Sequence, residues 1–366
     1  MYFRSLQVFR GIAAVAVVLY HVKEYLQSLC DAPGTPFRVF DYKFGMGAWF
    51  FFSLSGFLMA YMIDSSRERF LSRRLARIYP TFWLAVCLTI IVKVALFGTV
   101  ANPRLIEAAS LLPFGGKPAY TLGVEWTLIY EVFFYCVCAF FANARLYRLF
   151  PAFLACWAAA IATANLGFGC VTVILPTPGQ IVFSLFNLLF IMGGLGYHVY
   201  KRLRPTARAR RVLLYVVGGG LLTYYLRDGR ELMGFFGLGL IFTGAILWGA
   251  LGDQRDKPVP GGSFFERLGD ASYGLYLIHV PIMTCVFYLG TRKWNLNYPT
   301  TLGLIGTILA LIGGWWFGKV DLALQRKWRQ RLSRPRPGGG TDAGAPHIRL
   351  WRRWSGSQTT IETPAG

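Results

Sequence analysis

Few residues in this chain carry a charge, and that scarcity decides its class. Asp, Glu, Lys and Arg make up 15% of the 366 residues, against 55% hydrophobic ones, and the mean hydropathy is +0.44. A soluble domain holds about 25% charged residues. Acidic residues are scarcer still, 17 against 38 Lys and Arg. The chain has only 4 His, and its 7 Cys are odd in number and fall mostly inside apolar runs. Cys136 and Cys138, two apart, point different ways on a helix. Neither a disulfide framework nor a metal site is expected. No A-x-A cleavage site follows the first apolar run, which Arg10 and His21 interrupt, so that run is not a cleaved signal peptide. The glycines at 193, 194, 196 and 218–220 lack the strand–loop–helix setting of a phosphate loop, and close helix packing is expected of them instead. No internal repeat and no second domain is visible.

What the chain has in abundance is apolar runs of about 20 residues, each long enough for a hydrocarbon layer of about 30 Å. Backbone groups in lipid must be satisfied internally, so the spans are expected to be helices. The fold class is an all-α polytopic membrane protein of about ten transmembrane helices, near 6–27, 44–63, 79–97, 122–141, 150–169, 179–198, 212–227, 232–251, 271–290 and 301–320. With both termini in the cytoplasm, 27 of the 38 basic residues fall on cytoplasmic segments, 8 on outer loops and 3 (Arg10, Lys23 and Lys93) within spans. That asymmetry is the positive-inside pattern. It also accounts for the net charge of +21, which suits anionic lipid headgroups rather than nucleic acid. The membrane domain is placed at 1–325. Residues 326–366 are set apart as a basic, Pro/Gly-rich cytoplasmic tail of disordered composition.

Ionisable residues inside a membrane are functional candidates. Arg10 and His21, in "LQVFRGIAAVAVVLYHV", are eleven residues apart, which brings them within about 20° of one helical face and about 16 Å apart along the axis. Arg10 alone is also compatible with snorkelling to headgroups, and His21 with a structural hydrogen bond. Arg74 and Arg77, in "FLSRRLARIYP", share a face on the same side as Arg10. Several guanidiniums converging there suit a polyphosphate; a positive-inside anchor is the plainer alternative. In "GVEWTLIYEVFFY", Thr127, Glu131 and Tyr135 form a polar stripe at i, i+4, i+8. Counted from the span ends, Glu131 and His21 differ in depth by about 5 Å, so the carboxylate is expected to meet and orient the imidazole, unless it makes a structural salt bridge. Ser272, Tyr276 and His279 share one face of "LGDASYGLYLIHVPIM"; His279 is either a second chemical group or a packing hydrogen bond.

These pieces resemble the membrane-bound acyltransferase 3 family, most closely its exopolysaccharide-modifying acetyltransferase branch. The matching residues are Arg10-Gly11 with His21, "FFFSLSGFLM", Arg74-x-x-Arg77-Ile78-Tyr79-Pro80, Trp126-Thr127-Leu128-x-x-Glu131 with Tyr135, and Ser272 to His279. The likeness covers residues 6 to about 320. Two departures are Trp49, where the family commonly has aspartate, and Gln7 to Phe9, where many members have an acidic residue.

The resemblance implies transfer of an acyl group, usually acetyl from acetyl-CoA, to a sugar hydroxyl of an exported or lipid-linked glycan, in the inner membrane of a Gram-negative bacterium. Under it, Arg10, Arg74 and Arg77 hold the coenzyme A phosphates. His21 and Glu131 are the catalytic pair, and Trp126, Tyr135, Ser272, Tyr276 and His279 are substrate-facing or structural polar residues. Membrane lipids surround the domain, and other polysaccharide-assembly proteins are candidate partners. The competing classes are a glycan or lipid exporter with a His21/Glu131 proton relay and an inactive scaffold. The cytoplasmic arginine set counts against the first, and the intact polar positions against the second.

Overall fold

The computed structural model describes residues 2–30, 34–65, 68–98, 104–116, 121–169, 172–255, 257, 262–296 and 298–333. Arg67, Lys117, Cys170 and the tail from 334 to 366 therefore lie outside the described residues. Ten helices of 16 or more residues form the fold: α1 (Arg4–Leu29), α2 (Gly47–Ser65), α3 (Phe70–Phe97), α4 (Glu125–Phe140), α5 (Phe150–Phe168), α6 (Phe186–Arg202), α7 (Ala207–Tyr225), α8 (Glu231–Asp253), α9 (Ser272–Tyr288) and α10 (Pro299–Ser333). Among the described residues there is no strand.

A long helix stands at each of the ten expected positions. Seven are long and apolar enough to cross a membrane: Arg4–Leu29, Tyr42–Ser65, Phe70–Phe97, Leu146–Gly167, Glu231–Asp253, Ser272–Lys293 and Pro299–Trp328. Of the other three, α4 and α6 have 16 and 17 residues, and α7 opens on Arg208, Arg210 and Arg211. Several ends differ from the expected ones, each for a local reason. Helix α3 begins at Phe70 and carries Pro80 within it, so Arg74 and Arg77 stand on the helix rather than before it. It stops at Gly98, whose φ of +75° is the left-handed conformation that terminates helices. A short helix, Pro178–Phe183, is opened by the reciprocal Thr177/Gln180 capping box and ends at Ser184, and α6 starts only after that turn. Helix α10 continues through Arg326 to Ser333, into the stretch that composition assigned to the tail.

Two packing cores hold the bundle. The larger gathers α2, α4, α5, α6 and α8 around aromatic rings, with Phe57, Tyr130, Phe134, Phe150 and Phe190 fully buried. There α2 and α6 touch backbone to backbone. A Cβ built on Gly193 would lie 1.9 Å from the Ser53 carbonyl oxygen, and one on Gly56 would lie 2.0 Å from that of Phe190. The approach at Gly193 is the close helix packing expected of its run. In the Gly218–Gly220 run only Gly220 makes such an approach, 2.7 Å from the Gly237 oxygen; Gly218 and Gly219 have nothing within 4 Å. The second core joins α1, α9 and α10 through Val18, Val22, Leu275, Met283, Phe287 and Ala310. Helix α9 packs chiefly on α10 and on α1, and this pairing carries the site.

Candidate active site

Helices α1, α3 and α9 run one way through the site and α4 and α10 the other, and their polar residues meet in layers. The layer near the start of α1 holds the three arginines. Arg10 donates to the Ser272 hydroxyl at 2.8 Å and to Gln7 Oε1 at 3.1 Å. Arg77 donates to Gln325 Oε1 at 2.8 Å, and its guanidinium lies 6.0 Å from the centre of the Tyr273 ring. Arg74 lies 5.9 Å from the Tyr135 ring centre with one amino group against Met62 Sδ, and its Nε is buried without a partner. None of the three makes an ion pair within 4.0 Å among the described residues. Their near neighbours are neutral amides, hydroxyls and aromatic faces, while Glu131, Asp321 and Asp270 act on them from further off. Asp270 stands just ahead of α9. Burial pushes its carboxyl above the usual range, and Arg10 pulls it back. Held cations with no contacting anion are costly, and they fit a site that receives an anionic ligand.

The scaffold behind Arg77 includes two residues of α10, Asp321 and Gln325, that lie outside every motif. Asp321 on α10, fully buried, accepts from Thr81 Oγ1 at 2.7 Å and from Gln325 Nε2 at 2.6 Å. That leaves the Gln325 carbonyl turned to Arg77. Tyr273 donates to the Ile78 carbonyl at 2.9 Å, tying α9 to α3 at the same level. Gln7, one of the departures from the acidic pattern, still serves Arg10 as a neutral acceptor. Trp49, the other, stacks on Phe235 in the larger core.

Deeper in, Tyr276 and Thr127 share a hydrogen bond of 2.6 Å, and Thr127 also donates to the Val124 carbonyl at 3.1 Å. Trp126 packs against Phe52, Tyr130 and Phe186. Beyond that layer, His21 meets His279, with 3.2 Å between His21 Nδ1 and His279 Nε2. His279 is fully buried, whereas His21 keeps part of its surface accessible.

The expected contact between His21 and Glu131 is therefore absent. Glu131 accepts from the Tyr135 hydroxyl, its partner one turn along α4, and belongs to the arginine layer. The depth count failed because α4 begins inside the bundle. Leu122, Val124 and Glu125 are buried, and the Glu125 carboxylate accepts the backbone N–H groups of Thr121, Leu122 and Val124 at 2.7 to 3.0 Å. Every residue of α4 thus lies nearer the arginines than a span opening at residue 122 would put it. The structure gathers Arg10, Arg74, Arg77, Glu131, Tyr135 and Ser272 at one level, Thr127 and Tyr276 at the next, and His21 with His279 beyond them.

The acyltransferase domain model matches residues 3–319, which include every residue of these layers except Asp321 and Gln325. The chain belongs to the acyltransferase 3 family. No curated protein and no solved structure matches it. An acyltransferase 3 chain with seven helices apolar enough to cross a membrane is a multi-pass membrane protein. Membership supports membrane acyl transfer as the chemistry of the chain. Among the described residues no cluster of His, Cys, Asp and Glu could hold a metal ion.

Proposed function

We propose that this protein is an integral-membrane O-acyltransferase. It takes an acyl group, most simply acetyl, from acyl-CoA on the cytoplasmic side. It passes that group to a sugar hydroxyl of an exported or lipid-linked glycan. The observation that carries the proposal is the pair of layers on α1. Three guanidiniums without a contacting anion converge at one level, and a partly accessible histidine stands eleven residues further along the same helix. Eleven residues of helix span about 16 Å, a length suited to the extended pantetheine arm between a coenzyme's phosphates and its thioester.

In this reading Arg10, Arg74 and Arg77 hold the donor phosphates, and Gln325 and Ser272 keep two of those arginines aimed. The thioester carbonyl reaches the level of His21, and the acceptor enters from the opposite side of the membrane. His21 takes the proton of the acceptor hydroxyl as that oxygen attacks the carbonyl carbon. The carbon–sulfur bond breaks, an ester forms, and coenzyme A leaves as a thiolate that recovers the proton from the imidazolium. Glu131 stays with Tyr135 in the donor layer, where its charge balances the arginines rather than the base.

Labelled acetyl transfer from acetyl-CoA to cell-envelope glycan tests this, with membranes holding the wild-type chain compared with membranes holding His21→Ala at equal expression. Label on the glycan that is lost in His21→Ala supports the enzyme and its base together. Label that survives removes His21 from the mechanism. Absence of label in both, together with glycan accumulating inside cells that lack the protein, favours an exporter.

A further inference from the structure

The proton positions on the two histidines follow from the backbone. His279 Nδ1 lies 2.8 Å from the Tyr276 carbonyl and 3.2 Å from that of Leu275. A carbonyl can only accept, so this nitrogen carries the hydrogen, and in the neutral ring the lone pair falls on Nε2. That Nε2 faces His21 Nδ1, which also lies 2.9 Å from the Val17 carbonyl. Both groups around His21 Nδ1 are therefore acceptors, and a bare nitrogen there would oppose a lone pair to each. His21 Nδ1 must hold its hydrogen, shared between Val17 and His279. The free lone pair of His21 then sits on Nε2, for which the described residues offer no partner.

We infer that His279 is the positioning residue of His21, fixing its ring and its tautomer so that Nε2 is the bare nitrogen turned to the substrates. This rests on the reading of His21 as the base. The arrangement differs from a carboxylate-backed histidine because the orienting group is a second, neutral imidazole whose own tautomer is set by α9. When Nε2 takes the acceptor's proton, the imidazolium keeps both acceptors on its Nδ1–H, and no proton leaves the pair. Full burial of His279 suits this role, since a neutral ring bonded at both nitrogens loses little on leaving water. The fixed orientation explains how a base works in this part of the bundle without a carboxylate in contact.

The test uses the full chain in lipid nanodiscs with [15N]histidine, which labels only four residues. Nitrogen chemical shifts distinguish protonated from bare ring nitrogens. In the wild type we expect His21 as a single Nδ1–H tautomer. His279→Leu should split the His21 signals between two tautomers and lower transfer at saturating acyl-CoA by about 100-fold, while the KM for acyl-CoA stays within about twofold. His279→Gln keeps an acceptor toward Nδ1; it should restore the single tautomer and recover the rate to within about tenfold of wild type, which separates orientation from mere loss of packing. An Nε2–H tautomer in the wild type overturns the inference. So does a His279→Leu protein whose signals and rate are unchanged, because the Val17 carbonyl alone then holds the ring. Should the wild-type chain transfer no acyl group to glycan, the reading of His21 as base fails. The nitrogen signals still decide the pairing: a single Nδ1–H tautomer lost in His279→Leu upholds it, and any other pattern overturns it.

Discussion

Arg10 and His21 share one face of α1, yet their surroundings differ in kind. Around Arg10, Arg74 and Arg77, five helices contribute hydroxyls, amides and aromatic faces, and carboxylates stand behind them. Around His21 the partners are a backbone carbonyl and a neutral imidazole. The first layer keeps permanent charges available for an anion, because guanidinium does not lose its proton at any working pH. In the proposed reading the second keeps a base that must gain and lose a proton out of contact with charged groups, Glu24 acting on it only from further off. On that proposed reading binding and chemistry are separated along the bundle, and each can be broken without the other.

The largest effect is expected at the histidine layer. His21→Ala should lower the transfer rate by at least about 100-fold while coenzyme A still binds, seen as normal thermal stabilisation by the ligand in detergent. Next comes Arg77→Ala, which should weaken coenzyme A by about 10- to 100-fold, the loss of charge-assisted hydrogen bonds to phosphate, and leave the rate at saturating donor near wild type. Steady-state kinetics separates the two. A smaller effect of the same type follows from Asp321→Asn. That change disturbs the hold on Gln325 and so on Arg77, and should raise the KM for acyl-CoA by about five- to tenfold without altering the acceptor KM. The smallest effect on turnover belongs to Gly193→Ala, outside both layers. Its Cβ would collide with the Ser53 carbonyl and cost about 1–3 kcal/mol of stability, read as a lower Tm with the rate per folded molecule retained.

Positions that follow from hydropathy and one-helix geometry were legible in the sequence, and those set by how helices meet were not. Apolar runs located all ten helices, and the eleven-residue spacing placed Arg10 and His21 on one face of α1. The glycine run at 193–196 marked a close helix packing that is there, against α2. The pairing of His21 was misread because depth was counted from the ends of α4, whose first turn is sunk in the bundle and capped by Glu125. Asp321 and Gln325 escaped notice for a different reason. Both lie past the recognised motifs, on a helix expected to end at residue 320. Only the observed length of α10 brings them level with Thr81 and Arg77. One signal was available: an aspartate and a glutamine four apart, just after an apolar run, share a helical face.

The measurement that tests the separation most directly is calorimetric titration of coenzyme A into the purified protein, comparing wild type, His21→Ala and Arg77→Ala. The account predicts that His21→Ala binds as tightly as wild type and that Arg77→Ala binds at least about tenfold more weakly. Equal affinities for wild type and Arg77→Ala, or a collapse of binding in His21→Ala, would contradict it.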